Sequence, residues 1–187
     1  MRLFVALVPP EDVLAEVERA VQGRRDEWPH LRWVSPELWH VTLAFLGNVD
    51  EELLPGLRTL LARTAAGHEA REVSFAGAGA FPSAGRASVF WVGVRGPEEG
   101  RGRPVFARLA GSIAAGVEKL GVPQDRKRFH PHLTLARCRE RTDLRDLVDG
   151  MAVFAGRTWR ADAVHLMRSH LGRTVRYESL AAWPLGG

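Results

Sequence analysis

The spacing of apolar residues changes period several times along this chain, and each change marks an element. Arg2 to Val8 carries a continuous apolar run, Leu3 to Val8, with the β-branched and aromatic content of a buried strand, and Pro9-Pro10 closes it. Between Glu11 and Gln22 the apolar residues Val13, Leu14, Val17 and Val21 recur at helical spacing, which predicts a helix with one buried face. "RWVSPELWHVTLAFLG" then predicts a short strand, a Ser-Pro turn and a strand from Trp39 to Leu46, stopped by Gly47 and Asn48. Asp50 to Ala66 has the pattern of a second helix, with Pro55 tolerable only in its first turn.

The next block repeats this plan. Glu72 to Phe81 and Ala87 to Arg95 predict strands joined by "FPSAGR", and residues 96–104 ("GPEEGRGRP") form the most loop-like stretch. Val105 to Leu120 predicts a helix with Phe106, Leu109, Ile113, Val117 and Leu120 on its inner side, ended by Gly121. A strand from His132 to Cys138 follows, then a short helix near Asp143 to Val148. Two closing strands are expected around Trp159 to Arg168 and Thr174 to Trp183. Both halves therefore run through an apolar strand (Phe4 to Val8, Val89 to Val94), a helix, and a strand opening with His-x-Thr-Leu. The shared order predicts an α+β fold of two lobes related by an approximate two-fold axis, within one domain spanning residues 1–187.

The two His-x-Thr-Leu segments, at His40 and His132, are the strongest chemical signal. Seven histidines and seven threonines in random order would give about 0.26 His-x-Thr pairs, so two, both followed by leucine, are poorly explained by chance. Residues two apart on a strand share a face. His40 and Thr42, and likewise His132 and Thr134, each present an imidazole and a hydroxyl on one side while Val41, Leu43, Leu133 and Leu135 fill the other. A structural reading, in which each histidine merely caps a strand, leaves two polar side chains on an apolar strand in need of partners or solvent. Paired imidazoles that titrate near neutral pH suit general acid-base chemistry, one taking a proton from water while the other protonates a leaving oxygen. Hydroxyls beside them suit the non-bridging oxygens of a phosphodiester.

Charge and composition narrow the setting. The net charge is +4, and Lys119 and Lys127 are the only lysines among 26 basic residues, so arginine dominates and fits bidentate phosphate contacts. Cys138 is the only cysteine, which excludes an intramolecular disulfide and argues for a reducing, cytoplasmic setting. The N-terminal apolar run is too short for a signal-peptide core or a membrane span.

These features, with "RLFVALVP", "WHVTLAFLG", "GAFPSAGRASVFWVGV", "RFHPHLTLAR" and "RYESLAAWPL", resemble the two-histidine phosphoesterase superfamily. Within it they resemble the bacterial and archaeal RNA 2′,3′-cyclic phosphodiesterases, historically called 2′-5′ RNA ligases. The likeness covers nearly the whole chain. It implies two pseudo-symmetric lobes, each an antiparallel sheet with helices on its outer face, and an active-site cleft between them. It also implies metal-independent opening of an RNA 2′,3′-cyclic phosphate end to a 2′-phosphate, with no cofactor. The expected partner is an RNA carrying that end, tRNA fragments included; no membrane is expected, and the chain is expected to act as a monomer. His40 would be the general acid on the departing O3′ and His132 the base for water. Thr42, Thr134 and Arg137 would contact the phosphate. Strict alternation puts Arg137 on the face opposite His132, so that role needs a bulge or the strand's end.

Weaker candidates complete the picture. Phe45, matching Arg137 in the first motif, could stack on the terminal base or belong to the core. His130 could line the cleft or simply start the strand. His165 and His170 have no matching threonine, so structural roles are expected, and Cys138 is expected to be a small buried filler. Arg86, Arg126, Arg128, Arg173 and Arg176 could guide RNA by charge. Competing functions are hydrolysis of small cyclic nucleotides or related cyclic phosphates, a non-catalytic RNA-end-binding module, and a metal site on the two histidines. The last lacks nearby carboxylates at ligand spacing.

Overall fold

The structure, a computed structural model, describes residues 1–96 and 102–186. Strand β1 (Arg2–Leu7) leads through helix α1 (Glu11–Glu27) and the two-residue strand β2 (Arg32–Trp33) to strand β3 (Val41–Asn48), with a 3-10 turn at Pro36–Leu38. Helix α2 (Leu54–Ala66) follows, with Pro55 in its first turn where no backbone donor is lost. Strands β4 (Arg71–Phe81) and β5 (Ala87–Arg95), helix α3 (Ala107–Lys119), strand β6 (His132–Thr142) and helix α4 (Arg145–Met151) make up the second half. Strands β7 (Trp159–Ala161), β8 (Ala163–His170) and β9 (Arg176–Pro184) close the chain. Part of the stretch expected to be a loop, residues 97–101, lies outside the described residues.

Two expectations need correction. Gly47 does not stop β3, because it takes a left-handed φ of 68° and lets the strand run on to Asn48. The single strand expected over Trp159 to Arg168 is two strands broken at Asp162. β7 pairs with β4 and β8 pairs with β1, at opposite ends of the sheet.

The strands follow the order β7-β4-β5-β6-β3-β1-β8-β9, with β2 added beside β6. The order is symmetric about its centre: β6 and β3 are neighbours, each flanked by the apolar strand of its own half, β5 or β1. The two halves are hydrogen-bonded to one another, but the seam is thin, with Val41 opposite Leu133 as its one register pair. Beyond that pair the two strands diverge.

One side of the sheet carries the main core. Leu3, Val5, Leu7, Val41, Leu43, Leu133 and Leu135 bury themselves there against Val13, Val17 and Val21 of α1, Leu57 and Leu61 of α2, and Leu109, Ile113 and Val117 of α3. Each large aliphatic side chain buried there is worth about 1.5–3 kcal/mol relative to exposure. Gly116 lets α3 approach α2 closely, since a Cβ there would meet Leu60 Cδ1 at 2.4 Å. α1 docks towards the second half, where Arg24 donates to the Gly150 carbonyl at 3.0 Å and Arg157 bonds Glu16 at 2.9 Å. The other side of the sheet is left open, apart from a small cluster of Phe4, Ala6, Met167 and Tyr177. Among the described residues no helix is long and apolar enough to cross a membrane.

Candidate active site

The open face is where the motif histidines and threonines emerge. In both strands the residues alternate as expected up to the threonine: Val41 and Leu43, or Leu133 and Leu135, are buried, while Thr42, His132 and Thr134 are partly exposed. Then alternation fails in the same way twice. On β3 the register passes from Thr42 opposite Ala6 to Ala44 opposite Val5, leaving Leu43 without a partner. On β6 it passes from Thr134 opposite Trp91 to Ala136 opposite Phe90, leaving Leu135 without one. The leucine of each His-x-Thr-Leu motif is therefore the extra residue of a β-bulge, and a bulge directs two successive side chains to one face. Leu43 and Ala44, and Leu135 and Ala136, are all buried.

The bulges reset everything downstream. Arg137 returns to the open face with His132 and Thr134, which resolves the conflict that strict alternation posed. Phe45 makes the equivalent turn and is 68% exposed, so the core reading of this residue is wrong. Cys138, which shares parity with His132 on paper, is turned into the main core instead.

A cleft of about 510 Å³ brings these groups together, lined by His40, Thr42, Phe45, His132, Thr134 and Arg137. Leu171 and Val175 reach it from the turn between β8 and β9, and Tyr177 from β9. The side chain of His130 does not line this cleft. It packs at a tilt against the Trp91 ring at 4.6 Å and borders an adjoining groove, while its backbone carbonyl holds His132. His165 and His170 lie on β8 outside the cleft, where His170 bonds Glu178 at 2.7 Å.

Both imidazoles are held by the same device. His40 Nδ1 donates to the Leu38 carbonyl at 2.8 Å, and His132 Nδ1 donates to the His130 carbonyl at 2.7 Å. A carbonyl can only accept, so each Nδ1 keeps its hydrogen and each neutral ring presents the lone pair of Nε2. His40 Nε2 accepts from the Thr42 hydroxyl at 2.9 Å, whereas no described residue bonds His132 Nε2. Burial depresses both histidines below the ordinary imidazole range. The carbonyl bonds oppose that shift, and Arg137, with His132 in the case of His40 and His130 in the case of His132, adds to it by charge repulsion. That His132 and Arg137 both act on His40 places all three in one electrostatic neighbourhood.

Aromatic rings complete the setting, and the sequence reading did not single them out. Phe4 and Tyr177 pack on the His40 ring at 4.7 and 5.3 Å, while Phe81 packs edge-on to His132 at 5.0 Å. Trp91 lies beneath His130, in a space that exists because position 79 is glycine: a Cβ there would meet Trp91 Cζ2 at 2.3 Å. Phe4 could have been found from alternation, since it shares a strand face with Ala6 opposite Thr42.

Residues 8–173 match the model of the 2′-5′ RNA ligase superfamily. This chain belongs to that superfamily. Its relatives include the RNA 2′,3′-cyclic phosphodiesterase of Archaeoglobus fulgidus, 37% identical over 79% of each chain, and that of Methanothermobacter thermautotrophicus, 31% identical over 91% of each. Among solved structures, one from Thermus thermophilus superposes with a TM-score of 0.79 at 31% identity, covering 100% of this chain and 99% of that one. Escherichia coli LigT, crystallised with 3′-AMP, superposes with a TM-score of 0.74 at 26% identity, covering 98% and 97%. The superfamily match and these neighbours agree with the α+β architecture described above.

Proposed function

We propose that this member of the 2′-5′ RNA ligase superfamily is an RNA 2′,3′-cyclic phosphodiesterase that opens the cyclic end by paired-histidine catalysis, leaving a 2′-phosphate and a free 3′-hydroxyl. The single observation that carries the mechanism is the matched clamp: two imidazoles whose Nδ1 hydrogens are held by backbone carbonyls face one cleft through Nε2. The activity is the one named for the Archaeoglobus fulgidus and Methanothermobacter thermautotrophicus relatives.

His132, with an uncommitted Nε2 lone pair, takes the proton of the attacking water as its oxygen bonds to phosphorus. His40, protonated on Nε2, gives that proton to O3′ as the P–O3′ bond breaks. An anionic phosphate in the cleft counters the burial that depresses His40 and so favours its protonated form. The hydroxyls of Thr42 and Thr134 and the guanidinium of Arg137 hold the non-bridging oxygens where negative charge builds up. Among the described residues no group of three or more His, Cys, Asp or Glu is placed to hold a metal ion.

The deciding experiment incubates the full chain, in chelator, with an RNA ending in a 2′,3′-cyclic phosphate and identifies the hydroxyl that keeps the phosphate. A 2′-phosphate is expected. A 3′-phosphate reverses the leaving group, and an unchanged end removes the reading.

A further inference from the structure

The halves match at their motifs but not in the segments leading into them. Where β6 diverges from β3 on one side of the seam, the segment before His40 fills the fork: β2 pairs with β6, Trp33 opposite Ala136, and the Val34 amide donates to the Leu135 carbonyl at 2.8 Å. Trp28, Trp33 and Trp39 plug it, Trp39 being 3% exposed with its indole bonded to the Val34 carbonyl. The corresponding segment before His132, residues 124–130, forms no strand against β3. It reaches that strand through the Gln124 side chain, which donates to the Phe45 carbonyl at 3.2 Å. The second fork is thus a groove of about 640 Å³, continuous with the catalytic cleft through Thr42, Phe45, Phe81 and His132.

We infer that this groove holds the nucleotide on the 5′ side of the cyclic end, so that the enzyme is built for an RNA strand rather than a lone cyclic nucleotide. The inference rests on the phosphodiesterase reading above and names its substrate class. Three observations converge on it. The groove has an apolar floor, formed by Ala110, Gly111 and Ala114 of α3 with Glu118 at one side, and is edged by Phe45, an exposed ring of the kind on which bases stack. Its rim carries Arg126, Lys127 and Arg128, all exposed; Asp125 pairs with Lys127 at 3.0 Å, which leaves the two arginines for backbone phosphate. And Gly111 serves no close packing, since a Cβ there meets nothing within 4 Å, unlike Gly116 on the same helix. A small residue at position 111 keeps the floor open.

The test compares kcat/KM for adenosine 2′,3′-cyclic phosphate and for a trinucleotide bearing the same end. The wild-type chain should prefer the trinucleotide about tenfold or more, the scale of one stacked base. Gly111→Leu fills the groove while replacing a weak helix former by a strong one, so the fold is retained. It should lower that preference about tenfold, through the KM of the trinucleotide. The double variant Arg126→Ser/Arg128→Ser, confined to an exposed rim, should lower it several-fold and flatten its salt dependence. A wild-type chain without preference, or variants that leave the preference intact, would overturn the inference. So would an equal loss on both substrates, which would mean that the groove holds the terminal nucleoside itself. Failure of the wild type on both substrates would instead defeat the phosphodiesterase reading; binding of the trinucleotide, followed by tryptophan fluorescence, would then still report on the groove through Gly111→Leu.

Discussion

His40 and His132 occupy equivalent positions in the two halves, and what surrounds them differs. Both rings are fixed through Nδ1 by the carbonyl two residues back, so tautomer and orientation are common property of the motif. His40 is then also tied at Nε2 to Thr42 and enclosed by Phe4 and Tyr177, whereas the Nε2 of His132 meets no described partner and Thr134 has no bond to it. Two matching frames thus carry two unequal groups. One ring keeps an open Nε2 lone pair and the other has its Nε2 lone pair engaged by a hydroxyl, and the base and acid roles proposed above for His132 and His40 build on that difference.

The sharpest way to break that contrast is to remove each ring in turn. His132→Ala and His40→Ala should each lower kcat/KM on cyclic-ended RNA by about 10³-fold, within the range for general acid-base groups. On an aryl phosphodiester whose leaving group needs no proton, His40→Ala should recover most of its activity and His132→Ala should not. Equal recovery would abolish the distinction between them.

A smaller effect separates the hydroxyls. Thr134→Val should cost about 10²-fold in kcat, as expected for one lost donor to a developing oxyanion. Thr42→Val should cost a similar factor and also displace the pH-rate profile, because it removes the partner of His40 Nε2. Identical profiles for the two variants would show that this bond has no bearing on His40.

Smaller again is the support behind the second ring. Gly79→Ala would drive a methyl to 2.3 Å from Trp91 Cζ2, so stability in urea should drop by about 2 kcal/mol, the usual cost of overpacking. The displaced indole would loosen the His130 carbonyl that orients His132 and leave His40 untouched.

The least effect is on stability against pH. Burial holds both histidines below 6.5, so between their folded values and 6.5 the unfolded chain binds more protons than the folded one. Their contribution is complete above pH 6.5 and is lost as pH falls through the folded values. The melting temperature of the His40→Asn/His132→Asn variant should therefore fall less between pH 7 and pH 5 than that of the wild type. His68 and His165, also depressed by burial, remain to give the variant a residual slope.

Much of this site was legible because period-two alternation is enforced by burial: Val41 and Leu133 must face the core, so the histidines and threonines beside them cannot. Strict alternation alone would have put Arg137 in the core and Cys138 in the cleft; the expected bulge returns Arg137 to the open face and leaves Cys138 the buried filler it was expected to be. The bulges at Leu43 and Leu135 arise from register between strands distant in sequence, and no residue near them announces an extra position. The break at Asp162 was missed for a related reason, since apolar and polar residues keep mixing from Trp159 through Arg168 and β7 and β8 part because their partners lie at opposite ends of the sheet. The rings around the histidines come from β1, β4, β5 and β9, and only the assembled sheet brings them together.

The paired bulges also have a consequence for the cleft. Because each one inserts its leucine without disturbing the histidine and threonine ahead of it, the position three residues after the threonine opens onto the cleft in both halves. One such position holds an aromatic ring, Phe45, and the other a permanent cation, Arg137. The same scaffold thus presents two different kinds of side chain at matching places.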